Sequence, residues 1–249
     1  MSNLSQIAAD FLPITLDEMD DVKLMNRTDT KFAFNLEKLP VLLQQMMPFY
    51  IILEINGKLI HDYKSLYFDT DDRKFYLDHH NRRVNRNKIR FREYIGSSLT
   101  FLEVKHKNNK GKTIKKRIKV DSISENLTSK QQDFIEKVIG NRLHVFAKQW
   151  INFSRITFVH KQQKERLTIA IDLTYNTSNK KGDLKQIVIA EVKQERMSRS
   201  SDFMRIAKEL NVLPIRISKY CMSTLDLNPS LKKNRFKEKV LFLTKLKQA

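Results

Sequence analysis

Five short segments of this chain alternate charged and apolar side chains with a period of two. They are Arg27-Thr28-Asp29-Thr30-Lys31-Phe32, Lys88-Ile89-Arg90-Phe91-Arg92, Phe101-Leu102-Glu103-Val104-Lys105-His106-Lys107, Lys115-Lys116-Arg117-Ile118-Lys119-Val120 and Ile189-Ala190-Glu191-Val192-Lys193. Successive side chains of a β-strand point to opposite faces, so each segment sets two or three charges, mostly basic, against a largely apolar face. One such strand is an ordinary solvated face. Five of them predict a sheet whose charged face can hold a highly anionic ligand. The basic residues spread over the predicted strands are Arg27, Lys31, Arg90, Arg92, Lys105, Lys107, Lys115, Arg117, Lys119, Arg155, Arg166, Lys193, Arg216 and Lys219. Arg forks meet phosphate oxygens bidentately, and Lys supplies a mobile point charge.

Two carboxylates stand inside the basic pattern. Glu103 shares a face with Lys105, and Glu191 shares a face with Lys193. Each is open to two roles: an internal ion-pair partner, or a ligand for Mg²⁺ or Mn²⁺ that also touches substrate phosphates. Such ions often use only one or two protein carboxylates, with phosphates and water completing the shell. The chain carries no Walker A loop, no GxGxxG and no nucleophile elbow, and its six histidines form no ligand spacing. Phosphoryl transfer runs without these devices, because positioning and charge neutralisation do most of the work. A phosphate acceptor is already ionised at neutral pH, so no general base is needed.

Composition bounds the partners. The 249 residues carry 47 basic and 28 acidic side chains, a net charge of +19, which calls for a polyanion: nucleic acid, anionic membrane, nucleotide or polyphosphate. Hydrophobic residues make up 41% and Phe numbers 15, enough for a packed core, while only five Gly and five Pro argue against disorder. The single Cys221 excludes an internal disulfide and fits a reducing, cytoplasmic setting. The acidic Met1–Asp20 stretch is no signal peptide, and no apolar run reaches membrane-span length, so the expectation is a soluble protein unless a partner anchors it.

The elements that must position these charges follow from periodicity. The reading gives a helical lead-in over 1–22 with Ile7, Phe11 and Leu12 as anchors, a strand over 25–35 and a helix over 36–47. Strands follow at 51–55 and 63–68 around Asn56-Gly57, then a short helix to Leu77. Strands recur at 86–95, 99–107 and 112–120. A helix over 129–149 has Ser129 as its N-cap, and strands return at 151–160, 166–175 and 185–193. Ser200 or Ser201 caps a helix to about 210, a short strand runs over 214–218, and a basic amphipathic helix spans 231–248. This is an α+β domain on one large antiparallel sheet or barrel, a single domain over 1–249 with its core at about 20–225. The apolar strand faces need helical cover. Closing the sheet would therefore turn the basic face inward, as an inverted barrel with a wet, basic lumen.

These residues resemble a known family. Leu24-Met25-Asn26-Arg27-Thr28-Asp29-Thr30-Lys31-Phe32 is similar to the opening strand of the VTC (vacuolar transporter chaperone) polyphosphate polymerase domain. Tyr67-Phe68-Asp69-Thr70, Tyr76, His79 and Arg82 lead into Arg86-Asn87-Lys88-Ile89-Arg90-Phe91-Arg92-Glu93-Tyr94, which resembles the family's Tyr-Phe-Asp-Thr and Lys-[Ile/Val]-Arg-x-Arg-x-Tyr segments. Phe101 to Lys107, Leu167 to Asp172, Ala190-Glu191-Val192-Lys193 and Ile217-Ser218-Lys219-Tyr220 complete the series in the family's order.

The resemblance implies the triphosphate tunnel metalloenzyme fold, an eight-stranded antiparallel β-barrel with a basic tunnel flanked by helices. It implies transfer of the ATP γ-phosphate to a growing polyphosphate chain, with Mn²⁺ or Mg²⁺ required. By position, Lys31, Arg90, Arg92, Lys105, Arg117, Arg155, Arg166, Arg216 and Lys219 would hold nucleotide triphosphate and polyphosphate, with Lys31, Arg90, Arg92 and Lys219 on ATP. Glu191 would be the metal ligand and Lys193 its basic neighbour; Lys115 and Lys119 stand as candidates beside Arg117. Arg27, Asp29 and Lys31 occupy the register where the superfamily's hydrolases carry Glu-x-Glu-x-Lys, which favours transfer over two-metal hydrolysis. Phe153-Ser154-Arg155 stands for a Tyr-x-Arg element, and Asn81-Arg82 for a Gly-Arg pair. The alternatives are a triphosphatase of the same fold and a non-catalytic polyphosphate- or nucleic-acid-binding module. No specific nucleic-acid partner is expected, and export of polymer through a membrane-protein partner is left open.

Overall fold

The computed structural model describes residues 2–19, 28–110, 113–195 and 201–248. Among the described residues, eleven strands and seven α-helices follow one another. The strands are β1 (Pro13–Ile14), β2 (Thr28–Asn35), β3 (Tyr50–Leu53), β4 (Ile60–Asp69), β5 (Arg86–Tyr94), β6 (Leu99–Lys107), β7 (Thr113–Val120), β8 (Phe146–His160), β9 (Glu165–Asn176), β10 (Lys181–Leu184) and β11 (Ile187–Gln194). The helices are α1 (Ser2–Ala9), α2 (Leu39–Met46), α3 (Lys74–His80), α4 (Ser129–Ile139), α5 (Asp202–Glu209), α6 (Lys219–Leu227) and α7 (Lys237–Gln248).

Eight strands form one path in the order β2-β11-β9-β8-β4-β5-β6-β7, with antiparallel neighbours throughout. No pairing between β7 and β2 is formed among the described residues, so the sheet is an open, helix-flanked antiparallel sheet and the expected barrel closure is not present in it. Register shifts between Asn152 and Ser154 on β8, and between Tyr67 and Phe68 on β4, interrupt the central ladders. Such bulges bend a strand and raise its local twist.

The two faces separate as the alternation requires. On one, Phe32, Ile156, Phe158, Leu167, Ile169, Ala190 and Val192 pack with Leu39, Leu42 and Leu43 of α2 and Phe203 and Ile206 of α5. Further along that face, Leu66, Phe68, Ile89, Phe91, Leu102 and Val104 pack with Ile135 of α4. Each such side chain, fully buried, contributes about 1.5–3 kcal/mol. The opposite face carries the charges, and one end of it is covered. There Tyr220, Cys221 and Leu225 of α6 and Leu243 of α7 pack with Ala33, Tyr63, Tyr67, Phe153 and Ile189.

Several boundaries differ from the sequence reading, each for a local reason. The helix expected over 129–149 stops at Ile139, because Gly140 takes the left-handed conformation (φ 88°) that ends a helix. Phe146 then opens β8, half exposed rather than buried on a helix face. Thr128, not Ser129, is the N-cap of α4: it forms a capping box with Gln131. The strand expected over 214–218 is a single bridge from Pro214 to Phe32, and α6 follows it, capped by Ser218. Leu12 is exposed, whereas Ile7 and Phe11 are buried as expected. Residues 24–27, which open the family-like segment and include Arg27, lie outside the described residues, as does Ser200; Ser201 caps α5. No described helix is long and apolar enough to cross a membrane.

Candidate functional site

Cross-strand register gathers the charges. Lys31 lies opposite Glu191, and Glu191 opposite Thr168. Lys193 lies opposite Arg166 and Asp29. Arg155 lies opposite His61, Arg92 opposite Ser65, and Arg90 opposite both Tyr67 and Glu103. Lys105 faces Lys88 and Lys115, and Glu103 faces Arg117. All of these side chains share the one face.

Two carboxylate centres organise it. At the first, Glu103 accepts from Arg90 Nε at 2.8 Å and forms an ion pair with Lys115. Arg90 Nη1 also donates to the Tyr67 hydroxyl at 2.7 Å. Burial pushes the Glu103 carboxyl up, but Arg90, Lys115 and Arg92 outweigh it and hold it far below the ordinary carboxylate range. Burial likewise raises the Tyr67 phenol, and Arg90, Arg92 and Lys88 together bring it below its ordinary value. At the second centre, Glu191 pairs with Lys31 and accepts from Lys193 at 3.1 Å, and Lys193 Nζ donates to Thr168 Oγ1 at 3.0 Å. Burial, then Lys193, pulls the Lys31 ammonium down to about 7.

Between the two centres the cations rest on aromatic rings. Tyr63 and Phe153 are stacked 5.2 Å apart. Arg155 lies 4.5 Å over Tyr63, Arg92 lies 5.2 Å over the same ring, and the Lys219 ammonium lies 4.9 Å over Phe153. Ring quadrupoles offset part of the mutual repulsion of the cations. Arg92 also donates to Ser65 Oγ at 3.2 Å; burial, then Arg90 and Arg155, draws it down to about 9. The Arg155 Nε is buried without a hydrogen-bond partner among the described residues, a donor left for an anion.

Helix α6 delivers its first residues to this face. Ser218 accepts from Cys221 N as the cap, and from Lys88 Nζ at 3.2 Å. Lys219 is pushed well below its ordinary value by burial, then by Arg155, Lys31, Arg92 and Lys193. Tyr220 stacks on Tyr67 at 5.1 Å and donates its hydroxyl to Asp69. Asp69 in turn accepts from the backbone N–H groups of Thr70, Phe75 and Tyr76, which ties the end of β4 to the start of α3 and to α6.

Of the expected site residues, Lys31, Arg90, Arg92, Lys105, Arg155, Arg166, Lys193, Lys219 and Glu191 are thus placed on or against the charged face. Lys105 is pushed well down by burial, then by Arg90 and Lys115. Arg117 shares the face but is exposed, with its guanidinium 4.3 Å over Phe101, and it is Lys115 that pairs with Glu103. Arg216 is exposed, because the chain leaves the sheet after Pro214, and it acts electrostatically on Lys239 of α7. Lys88 was not among the expected site residues, although the alternation that placed Arg90 and Arg92 places it on the same face.

Divalent-ion chemistry has a limited donor set. No group of three or more His, Cys, Asp and Glu gathers among the described residues. Glu191 keeps 23% of its side-chain surface open, whereas Glu103 keeps none. The face therefore fits an ion that takes most of its shell from phosphate oxygens and water, with Glu191 as its protein ligand.

A family model described as the VTC domain matches residues 26–228. No relative was found among the curated proteins. Among solved structures, a putative adenylyl cyclase, HpAC1 from Hippeastrum, described with a dominant triphosphatase activity, is similar at 15% identity. That match covers 80% of this chain and 96% of the other, with a TM-score of 0.49. The PH1819 protein from Pyrococcus horikoshii OT3 is similar at 10% identity over 80% of this chain and 99% of that one, with a TM-score of 0.42. Matched from the strand that bears Lys31 to the helix that bears Lys219, the chain belongs to the VTC-domain family.

Proposed function

We propose that this chain is an ATP-dependent polyphosphate polymerase. The observation that carries the reading is the convergence of Lys and Arg side chains from β2, β5, β6, β8, β9, β11 and α6 on one face, with Glu103 and Glu191 set among them. Such a face is self-repelling when empty and is stabilised by a ligand with many negative charges. Membership of the VTC-domain family supports phosphate-chain chemistry at that face.

In this reading Lys31, Arg90, Arg92 and Lys219 hold the triphosphate of ATP. Lys105, Arg117, Arg155, Arg166 and Lys193 align the acceptor chain, and Arg216 extends the positive surface at its edge. An ionised terminal oxygen of the chain attacks the γ-phosphorus, a new P–O–P bond forms, and the bond to the ADP oxygen breaks. The guanidinium and ammonium groups neutralise charge on the transferring phosphoryl group, where fixed charges act most strongly. Glu191 is the residue that would hold Mn²⁺ or Mg²⁺, whose chemistry when bound is to neutralise phosphate oxygens and orient them. Lys31 and Lys193, which engage Glu191 in the structure, would be released to phosphate oxygens when that carboxylate holds the ion.

The test is incubation with ATP and Mn²⁺, followed by gel analysis of the products. Formation of ADP with polymer is expected. ADP and free phosphate without polymer would make the chain a triphosphatase, and polyphosphate binding without ATP turnover would make it a binding module.

A further inference from the structure

A second group of cations gathers at one edge of the charged face, where the end of α3, the start of β5 and α7 meet. Phe236, just before α7, fixes its geometry: the His79 ring lies 6.3 Å from it and the Lys239 ammonium 5.2 Å over it. Arg235 N donates to His80 Nε2 at 3.2 Å and Arg235 Nη1 to the Asn81 carbonyl at 2.9 Å, which fastens this segment to the end of α3. Arg82 follows in the left-handed conformation (φ 58°), exposed, and Arg86 opens β5 on the same side as Lys88.

Two observations set this rim apart from a solvated surface. The His79 Nδ1 is buried without a hydrogen-bond partner among the described residues. And Arg82, Arg86 and Lys239 form no ion pair among the described residues, in contrast with the carboxylate-centred groups on the sheet. Burial, then Lys88, Arg86 and Lys239, draws His79 down to about 2, so its ring is neutral and can meet a phosphate oxygen or hydroxyl through whichever tautomer fits. Lys88 joins the rim to the site: it acts electrostatically on His79 on one side and on Lys31 on the other, and it donates to Ser218 at the α6 cap.

We propose that the rim formed by Arg82, Arg86 and Lys239 over His79 binds phosphate groups of a polyphosphate chain that extends past the charged face. The proposal rests on the reading of this chain as a polyphosphate enzyme. A flexible single-file polyanion can follow the track from Lys31 through Lys88 and Arg86 to Lys239, alongside α6. A nucleic-acid duplex is too broad to do so. The rim then selects for chain length: triphosphate is held by Lys31, Arg90, Arg92 and Lys219 without it, and a longer chain gains the rim contacts as well.

The test compares the full chain with its R82Q/K239Q variant, using tripolyphosphate and a long-chain polyphosphate as probes and a DNA duplex as competitor. The expected result is a loss of about tenfold in long-chain affinity with tripolyphosphate affinity held within about twofold. The salt dependence of long-chain binding should also be shallower in the variant, since fewer phosphate contacts are made. The unchanged tripolyphosphate affinity also reports that the variant is folded. Equal losses for both probes, or none for either, would overturn the rim. So would a loss confined to duplex binding. If the unaltered chain bound neither phosphate probe, the underlying reading would fall and the rim with it; binding of both by the unaltered chain, with the variant's losses equal or absent, removes the rim alone.

Discussion

The two carboxylate centres on the charged face look alike in sequence and differ in structure. Glu103 and Glu191 each precede a lysine by two positions on a central strand. Glu103 has no exposed side-chain surface and is enclosed by Arg90 and Lys115, with Tyr67 completing the Arg90 fork. Glu191 is partly open, and both of its partners are lysines. An enclosed carboxylate held by a guanidinium fork is a fixed counter-ion. An open one held by flexible ammonium groups can exchange its partners for a metal ion. Exposure and partner type, not position in the alternation, separate the two carboxylates, and the proposed function gives them different roles on that ground.

The largest test of this contrast is Glu103→Gln. It leaves Arg90, Arg92, Lys105 and Lys115 without their shared counter-charge, and breaking a buried pair in this way costs about 3–5 kcal/mol. Chemical denaturation should register that loss, while Glu191→Gln should shift stability by about 1 kcal/mol or less, as expected for a partly exposed pair. Equal destabilisation by the two variants would erase the distinction.

Turnover should invert the ranking. Glu191→Gln is expected to lower metal-dependent ATP turnover by roughly 100-fold, the scale of losing a charge-stabilising contact, while polyphosphate affinity measured without metal changes little. A Glu191→Gln protein that turned over normally would make Glu191 a second structural counter-ion.

Proton linkage gives a third measurement at the Glu191 centre. Lys31 sits at about 7 in the folded protein against an ordinary 10.5, and Lys105 and Lys219 are also lowered. Between those values the unfolded chain binds more protons than the folded one, so the stability of the free protein should rise with pH through that window. Bound phosphate favours the ammonium form and draws protons in. Polyphosphate affinity should therefore fall over the same window, by up to about tenfold per pH unit for each proton taken up. Calorimetry at pH 8 in buffers of different ionisation enthalpy should detect that uptake; its absence would mean the lysines are already charged in the free protein.

The smallest expected effect is at the edge of the Glu103 centre. Tyr220→Phe keeps the stack on Tyr67 and removes one hydrogen bond to Asp69, which retains three backbone donors. A loss of about 1–2 kcal/mol in stability is expected, with KM for ATP nearly unchanged. A large change in KM would instead make Tyr220 a positioning residue for Arg90.

Much of this arrangement was legible in the residues themselves. A period of two fixes which side chains share a face, so the split between the charged face and the helix-covered apolar face follows directly from segments such as Lys88 to Arg92. Lys88 follows from the same alternation as Arg90. What strand patterns leave open is register between distant strands. The resting places of Arg92, Arg155 and Lys219 on Tyr63 and Phe153 depend on β4, β5 and β8 lying side by side, which no local pattern encodes. Arg216 was expected with its neighbours Ser218 and Lys219, but Pro214 turns the chain off the sheet and leaves that side chain in solvent. The early end of α4 was signalled by Gly140 and overridden by the apolar spacing that continues through Leu143 and Phe146.

The Asp69–Tyr220 contact has a consequence for the order of events during synthesis. It joins residues 151 positions apart, and the later partner follows every strand in the chain. Every strand of the sheet emerges from the ribosome before α6 does. Until α6 docks, Tyr67 lacks its stacking partner and the face lacks Lys219. Contacts so distant in sequence form slowly, since the loop between them must close first. Docking of α6 is therefore the late step that completes the charged face, because it brings Lys219 onto it and closes the Tyr220 contacts to Tyr67 and Asp69.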